Sequence, residues 1–197
     1  MPVIVRNADQ SLSPMAPGCD AAALLTPDVI GSDHIFLERV ILEEGAAYEI
    51  ELDTKMVGWV QALSGEGILA DVEISPKTVT YLPLGFAGKL AAVGGETVLL
   101  VARVPDAGRF DPEIGDMPGE LRQVDWTREP VLQSEHDARK RIYMATPGLA
   151  KTNAFKGEMI SYPPGTGAPE LTYGAVVPAT AVVVIVVAFV TILVAIA

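Results

Sequence analysis

Glu51 and Asp53 place two carboxylates two residues apart within "GAAYEIELDTKMVGWVQALSG", residues 45–65. Such a pair suits acid–base work, or the holding of a hard cation together with water. Other chemistry-bearing side chains are sparse. His34 opens an apolar stretch and His136 sits in "QSEHDARK"; isolated histidines of this kind read as surface or hydrogen-bonded structural residues. "SEHD" joins Ser, His and Asp in sequence only, whereas a triad is defined by spatial roles. Cys19 is the sole cysteine, which excludes an internal disulfide and a cysteine-based zinc site. "GEG" and "GTG" read as turns, with no lysine and serine behind them to hold a phosphate.

The background to these residues is uneven. All 39 Asp, Glu, Lys and Arg residues, and so the whole net charge of −11, lie in the first 170 of 197 positions. An acidic surface repels phosphates, and Arg139-Lys140-Arg141 is the only basic cluster, so nucleic acid is not an expected partner. The start, "MPVIVRNADQSLSP", lacks the pattern of a signal peptide.

From Leu171 to Ala197 there is no charged residue. A bilayer core needs about 20 helical residues, and a lone strand in lipid would leave its backbone unpaired. The run from Tyr173 to Ala197 is therefore expected to be a single transmembrane helix. Tyr173 stands at the membrane border, Gly174 is a small residue suited to close helix approach, and Pro178 sits near the start, where a helix tolerates proline. With no acid, base or histidine inside it, the span anchors or packs and forms no ion path. The acidic domain is expected on the cytoplasmic side.

Upstream, prolines and glycines divide the chain. Residues 1–30 read as an extended arm. Residues 31–105 hold short apolar strands ("HIFLERVIL", "AYEIEL", "GWVQALSG", "GILADVEI", "TVTYLPL", "KLAAV", "TVLLVARV") separated by turns, the pattern of an all-β sandwich or barrel. Residues 106–172 are turn-rich and acidic at first and read as a wrapping linker with one remnant strand. No repeat of short period is evident.

These segments resemble the cupin family, small jelly-roll barrels that usually hold a metal on histidines. The family's first motif is a glycine, five residues, His-x-His, three or four residues, Glu, six residues and glycine. Here Gly45, Glu51-Leu52-Asp53, Gly58 and Gly65 keep that spacing. The histidine positions hold Glu51 and Asp53, and the glutamate position holds Gly58. The second motif, Pro-x-Gly then histidine, is Pro83-Leu84-Gly85 followed by Gly88 at the ligand position. "VARVPDAGRFDP", "VDWTREPVL" and "KGEMISYPPGTGAPE" resemble the linker and second-barrel opening of two-barrel cupins. Counting on from Gly165 puts Leu171 and Tyr173 where the second His-x-His would stand, so the second barrel reads as replaced by the membrane helix.

The resemblance thus implies a mainly β, cupin-like jelly-roll barrel with one C-terminal transmembrane α-helix, and with its ligands lost. It also sets a conflict of register. Tyr48, Ile50 and Leu52 share one face of their strand and Glu49, Glu51 and Asp53 the other, and a one-residue slip exchanges them. The family register, preferred here, turns positions 51 and 53 inward and leaves Tyr48, Ile50 and Leu52, with Trp126, as candidate partner contacts. The expected function is a non-catalytic accessory subunit of a membrane complex, photosynthetic or respiratory, with no cofactor and with integral membrane subunits and the bilayer as partners. The alternative is a membrane-tethered cupin enzyme or small-ligand-binding module using Glu51 and Asp53.

Overall fold

Two long strands, Val57–Leu69 and Ala87–Val104, organise the chain in a computed structural model. It describes residues 3–5, 11–116, 119–133, 135, 140–161, 182–185 and 192–194. The strands are β1 (Val3–Val5), β2 (Ser13–Ala16), β3 (Cys19–Leu25), β4 (Phe36–Leu42), β5 (Ala47–Glu51), β6 (Val57–Leu69), β7 (Val72–Ile74), β8 (Thr78–Leu82) and β9 (Ala87–Val104). They continue as β10 (Arg122–Asp125), β11 (Leu132–Gln133), β12 (Lys140–Ala145), β13 (Lys156–Ser161), β14 (Val182–Ile185) and β15 (Ile192–Val194). Two one-turn helices follow Thr-Pro steps: α1 (Pro27–Ile30) and α2 (Pro147–Ala150).

β10, β8, β6, β9, β4, β3 and β2 lie in that order in one antiparallel sheet, with β5 added to β9 and β7 to β6. β6 and β9 each serve two layers. Their register jumps from Ser64↔Val98 to Glu66↔Val93, a bulge that bends both strands over. Gly65 makes the bend, at φ +73° and with a hypothetical Cβ only 2.3 Å from the Glu96 carbonyl oxygen. No other residue fits there.

Period-two alternation then makes two cores from one sheet. Val40, Leu42, Tyr48, Ile50, Leu52, Val60, Ala62, Leu69, Leu82, Leu90, Leu99 and Val101 fill the barrel interior. Their neighbours in sequence, among them Leu37, Val57, Trp59, Val79, Tyr81, Leu100 and Ala102, point to the other side of the sheet.

That second face is covered by the chain itself. β12, α2 and β13 lie across it, with Met144, Ala145, Ala150, Ala154 and Phe155 in the same apolar cluster. Phe155 stacks on Trp59 and on Tyr81, at ring centroid separations of 5.0 and 5.8 Å. A pocket between arm and barrel, lined by Trp59, Tyr81, Met144 and Phe155 among others, has a volume of about 10 Å³, about the space one water needs.

The arm follows the same local course as the barrel's own entry. Thr26-Pro27 recurs 120 residues on as Thr146-Pro147, and Gly45 as Gly165. Both copies run strand, one-turn helix, left-handed residue and strand: Gly31 has φ +67° and Lys151, its counterpart, φ +58°. Glu38 of β4 corresponds to Glu158 of β13.

Within residues 1–30, read from the sequence as an extended arm, Ser13–Ala16 and Cys19–Leu25 are strands β2 and β3 of the sheet. Cys19, Ala21, Ala22, Leu24 and Leu25 of β3 are buried against β4, because this run is apolar enough to close the sheet's edge. Of the apolar C-terminal run only β14 and β15 are described. β14 pairs in parallel with β13, and β15 pairs antiparallel with β1. Among the described residues no helix is long and apolar enough to cross a membrane. Tyr173, Gly174, Pro178 and Ala197 lie outside the described residues.

Candidate functional site

The strand from Ala47 to Glu51 decides which side chains enter the barrel. Tyr48, Ile50 and Leu52 are 6, 0 and 7 % exposed, whereas Glu49, Glu51 and Asp53 face solvent. The preference for the family register is therefore corrected. Burying two ionised carboxylates without a cation would cost several kcal/mol each, while Ile50 and Leu52 gain from burial. Tyr48, Ile50 and Leu52 are corrected from partner contacts to barrel core. Trp126, half-buried, packs against the outer cluster, and its Nε1 donates to the Pro76 carbonyl at 2.8 Å.

The ligand positions do not converge. Asp53 Oδ1 accepts the Lys55 amide at 2.9 Å and caps a turn. Gly58 and Gly88 have no donor atoms to offer. A Cβ at Gly58 would lie 2.3 Å from the Ala102 carbonyl oxygen, so this glycine is required by the close approach of β9. No group of three or more His, Cys, Asp or Glu among the described residues is arranged to hold a metal ion. The metal that a cupin barrel implies does not fit these residues.

In its place the rim of the interior carries an ion pair with a phenol. Glu38 on β4 and Arg103 on β9 both point inward, in phase with Val40 and Val101. Arg103 Nη1 lies 2.6 Å from Glu38 Oε1, with both side chains under 20 % exposed. Tyr48 reaches them from the opposite layer: its hydroxyl donates to Glu38 Oε1 and accepts from Arg103 Nη2 at 2.7 Å. Burial, followed by the Glu38 hydrogen bond and charge, pushes the Tyr48 pKa up to about 12. Burial opposes the Arg103 charge, yet Glu38 and Tyr48 together raise its pKa. Each polar group is thus committed to the others. The phenol is held protonated at neutral pH and is no general base. The arrangement ties the barrel's two layers together.

Sequence reasoning missed this triad, because its members are spread from position 38 to 103. A signal exists, however: Glu38 and Arg103 are opposite charges at apolar-phase positions of two strands. The histidines do not meet. His34 Nε2 lies 3.1 Å from Arg109 Nη2 and its ring meets Phe110 edge-on, while His136 lies outside the described residues.

No protein-family model matches the chain, and no curated protein matches it. Solved structures do. A putative glyoxylate-induced protein from Pseudomonas aeruginosa is 14 % identical with a TM-score of 0.56, over 73 % of this chain and 55 % of that one. A variant of the oxalate decarboxylase OxdC of Bacillus subtilis is 13 % identical with a TM-score of 0.56, over 76 % of this chain and 54 % of that one. The fold is cupin-like. KdgF from Halomonas sp. also matches, at 12 % identity and a TM-score of 0.44, over 51 % of this chain and 91 % of that one. This chain thus spans about half the length of the first two structures, and the likeness is one of fold.

Proposed function

We propose that this chain is a non-catalytic accessory subunit of a membrane protein complex, built on a cupin-like barrel whose chemistry has been replaced by packing. The observation that carries the reading is the barrel interior. Ile50, Leu52 and Leu90 fill it, and Glu38, Arg103 and Tyr48 satisfy one another at its rim. A side chain needed for metal or acid–base work would have to be free to meet a substrate, and none there is.

The charge-free run from Leu171 to Ala197 supplies the membrane attachment. In lipid that run is a helix, since only a helix satisfies a single span's backbone.

Isolation in mild detergent tests the reading: the chain co-purifies at fixed stoichiometry with integral membrane subunits. A chain that always runs alone counts against it. Metal analysis tests the enzymatic alternative. Stoichiometric metal lost in a Glu51→Ala/Asp53→Ala double variant would establish a working site and end the present reading.

A further inference from the structure

β5, the first half of β9, the last residues of β6, and β7 lie side by side as the barrel's smaller layer. Among the described residues nothing covers the side of this layer turned away from the core. Register places Ala47, Ala91, Ile68 and Glu73 in one row, and Val93 beside Glu66 in the next. Ile68 and Val93 are 43 and 47 % exposed, large apolar side chains on an open sheet face. Glu73 is paired with Ile68 and Glu66 with Val93, and Glu49 and Glu51 lie farther along β5 on the same face, all exposed. Two cations among the described residues stand on this side: Lys89, 3.7 Å from Glu49, and Lys77 at the edge of the neighbouring cleft.

Beside the strip a cleft of about 380 Å³ opens, lined by Glu66, Ile68, Glu73, Lys77, Val93 and Gln123 among others. Gln123 holds one wall in place, its Nε2 donating to the Glu73 carbonyl at 2.6 Å and to Thr80 Oγ1 at 3.1 Å. An apolar floor with a carboxylate rim complements a segment that carries an apolar side chain between Lys or Arg residues.

We propose that this face docks a basic segment of a partner protein. One apolar side chain of the segment sits in the cleft against Ile68 and Val93, and its cations meet Glu66 and Glu73. The proposal rests on the accessory-subunit reading only in making the partner a membrane protein, whose cytoplasmic loops are rich in Lys and Arg.

The test uses the whole purified chain in micelles and a fluorescein-labelled peptide, Arg-Leu-Lys-Leu-Arg, followed by anisotropy at low salt. Saturable binding is expected, weakened at least tenfold by Glu66→Gln/Glu73→Gln and by Ile68→Ser/Val93→Ser, and weakened by added salt. Glu113→Gln, an exposed acid on a different loop, leaves it unchanged. The peptide Arg-Ser-Lys-Ser-Arg binds at least tenfold more weakly. Absence of saturable binding, equal binding of the serine peptide, or an equal loss in Glu113→Gln overturns the proposal. So does binding to phosphatidylserine vesicles that Ile68→Ser/Val93→Ser abolishes while no peptide binds, since that makes the face a lipid contact. No complex is needed for these measurements, so their failure is distinct from failure of the co-purification.

Discussion

Phe155 lies against Trp59 with ring centroids 5.0 Å apart and planes 26° from parallel. The pair joins the repeated arm to the barrel, since Phe155 follows α2 and Trp59 is the outward residue of β6. Both side chains are almost fully buried, at 1 and 2 % exposure. Phe155→Ala is therefore expected to destabilise the chain by about 3–5 kcal/mol, the usual range for emptying an aromatic site in a core. Urea denaturation followed by tryptophan fluorescence measures it. A loss below about 1 kcal/mol would mean that the arm does not depend on this contact.

Alkaline pH tests the buried phenols. Tyr48 and Tyr81 both have pKa values pushed up to about 12, in each case first by burial. A folded pKa above the unfolded value means that the unfolded chain loses its proton first as pH rises. Their contribution is complete below pH 10 and declines between about 10 and 12, by up to roughly 2–3 kcal/mol for each phenol. Absorbance titration is expected to show two tyrosines ionising near pH 12, one lost in Tyr48→Phe and the other in Tyr81→Phe. Ionisation of every tyrosine near pH 10 in the folded chain would refute the assignment.

Restoring the family's ligand pattern is expected to fail at one position and succeed at another. Gly58→Glu places a Cβ 2.3 Å from the backbone oxygen of Ala102, between two central strands that cannot separate. A cost above about 4 kcal/mol is expected, a large part of a domain's total stability. At Gly88→His the three atoms nearest the added Cβ all belong to the ring of Phe86, with Cζ at 2.5 Å, a side chain that can rotate away. Circular dichroism and soluble yield distinguish the two variants. A folded Gly58→Glu would show that β9 has room the structure does not display.

What the sequence disclosed follows from the reach of each signal. The strands of residues 35–104 were legible because apolar alternation and Gly or Pro punctuation are local. The sheet partner of β3 was not, because prolines at 14, 17 and 27 disguise a strand as an arm. The register of Tyr48–Asp53 was decided by burial of Ile50 and Leu52 over motif spacing. Motif spacing preserves the turns: Gly45 and Gly65 keep left-handed backbone at φ +75° and +73° whatever occupies the ligand positions. The duplication was present in the Thr-Pro pair and Gly45/Gly165 yet hidden by its period of 120, far longer than any helical or strand rhythm.

The two similar turns share one loop. Asp111, itself 5 % exposed, accepts from Thr152 Oγ1 at 2.7 Å and from the Asn153 amide at 2.8 Å. Two residues earlier Arg109 lies 3.4 Å from Asp33, the counterpart of Asn153 in the first copy. One loop thus grips the same turn in both copies, through a buried carboxylate on one side and an exposed guanidinium on the other. Burial makes the two grips unequal. Asp111→Ala leaves a buried hydroxyl and amide without an acceptor and is expected to cost about 2–4 kcal/mol, with Asp111→Asn costing less. Arg109→Ala breaks a solvent-screened pair and is expected to cost under about 1 kcal/mol. Hydrogen exchange provides the deciding measurement. The Asn153 amide exchanges faster in Asp111→Ala and at the native rate in Arg109→Ala, and equal effects of both variants would refute the asymmetry.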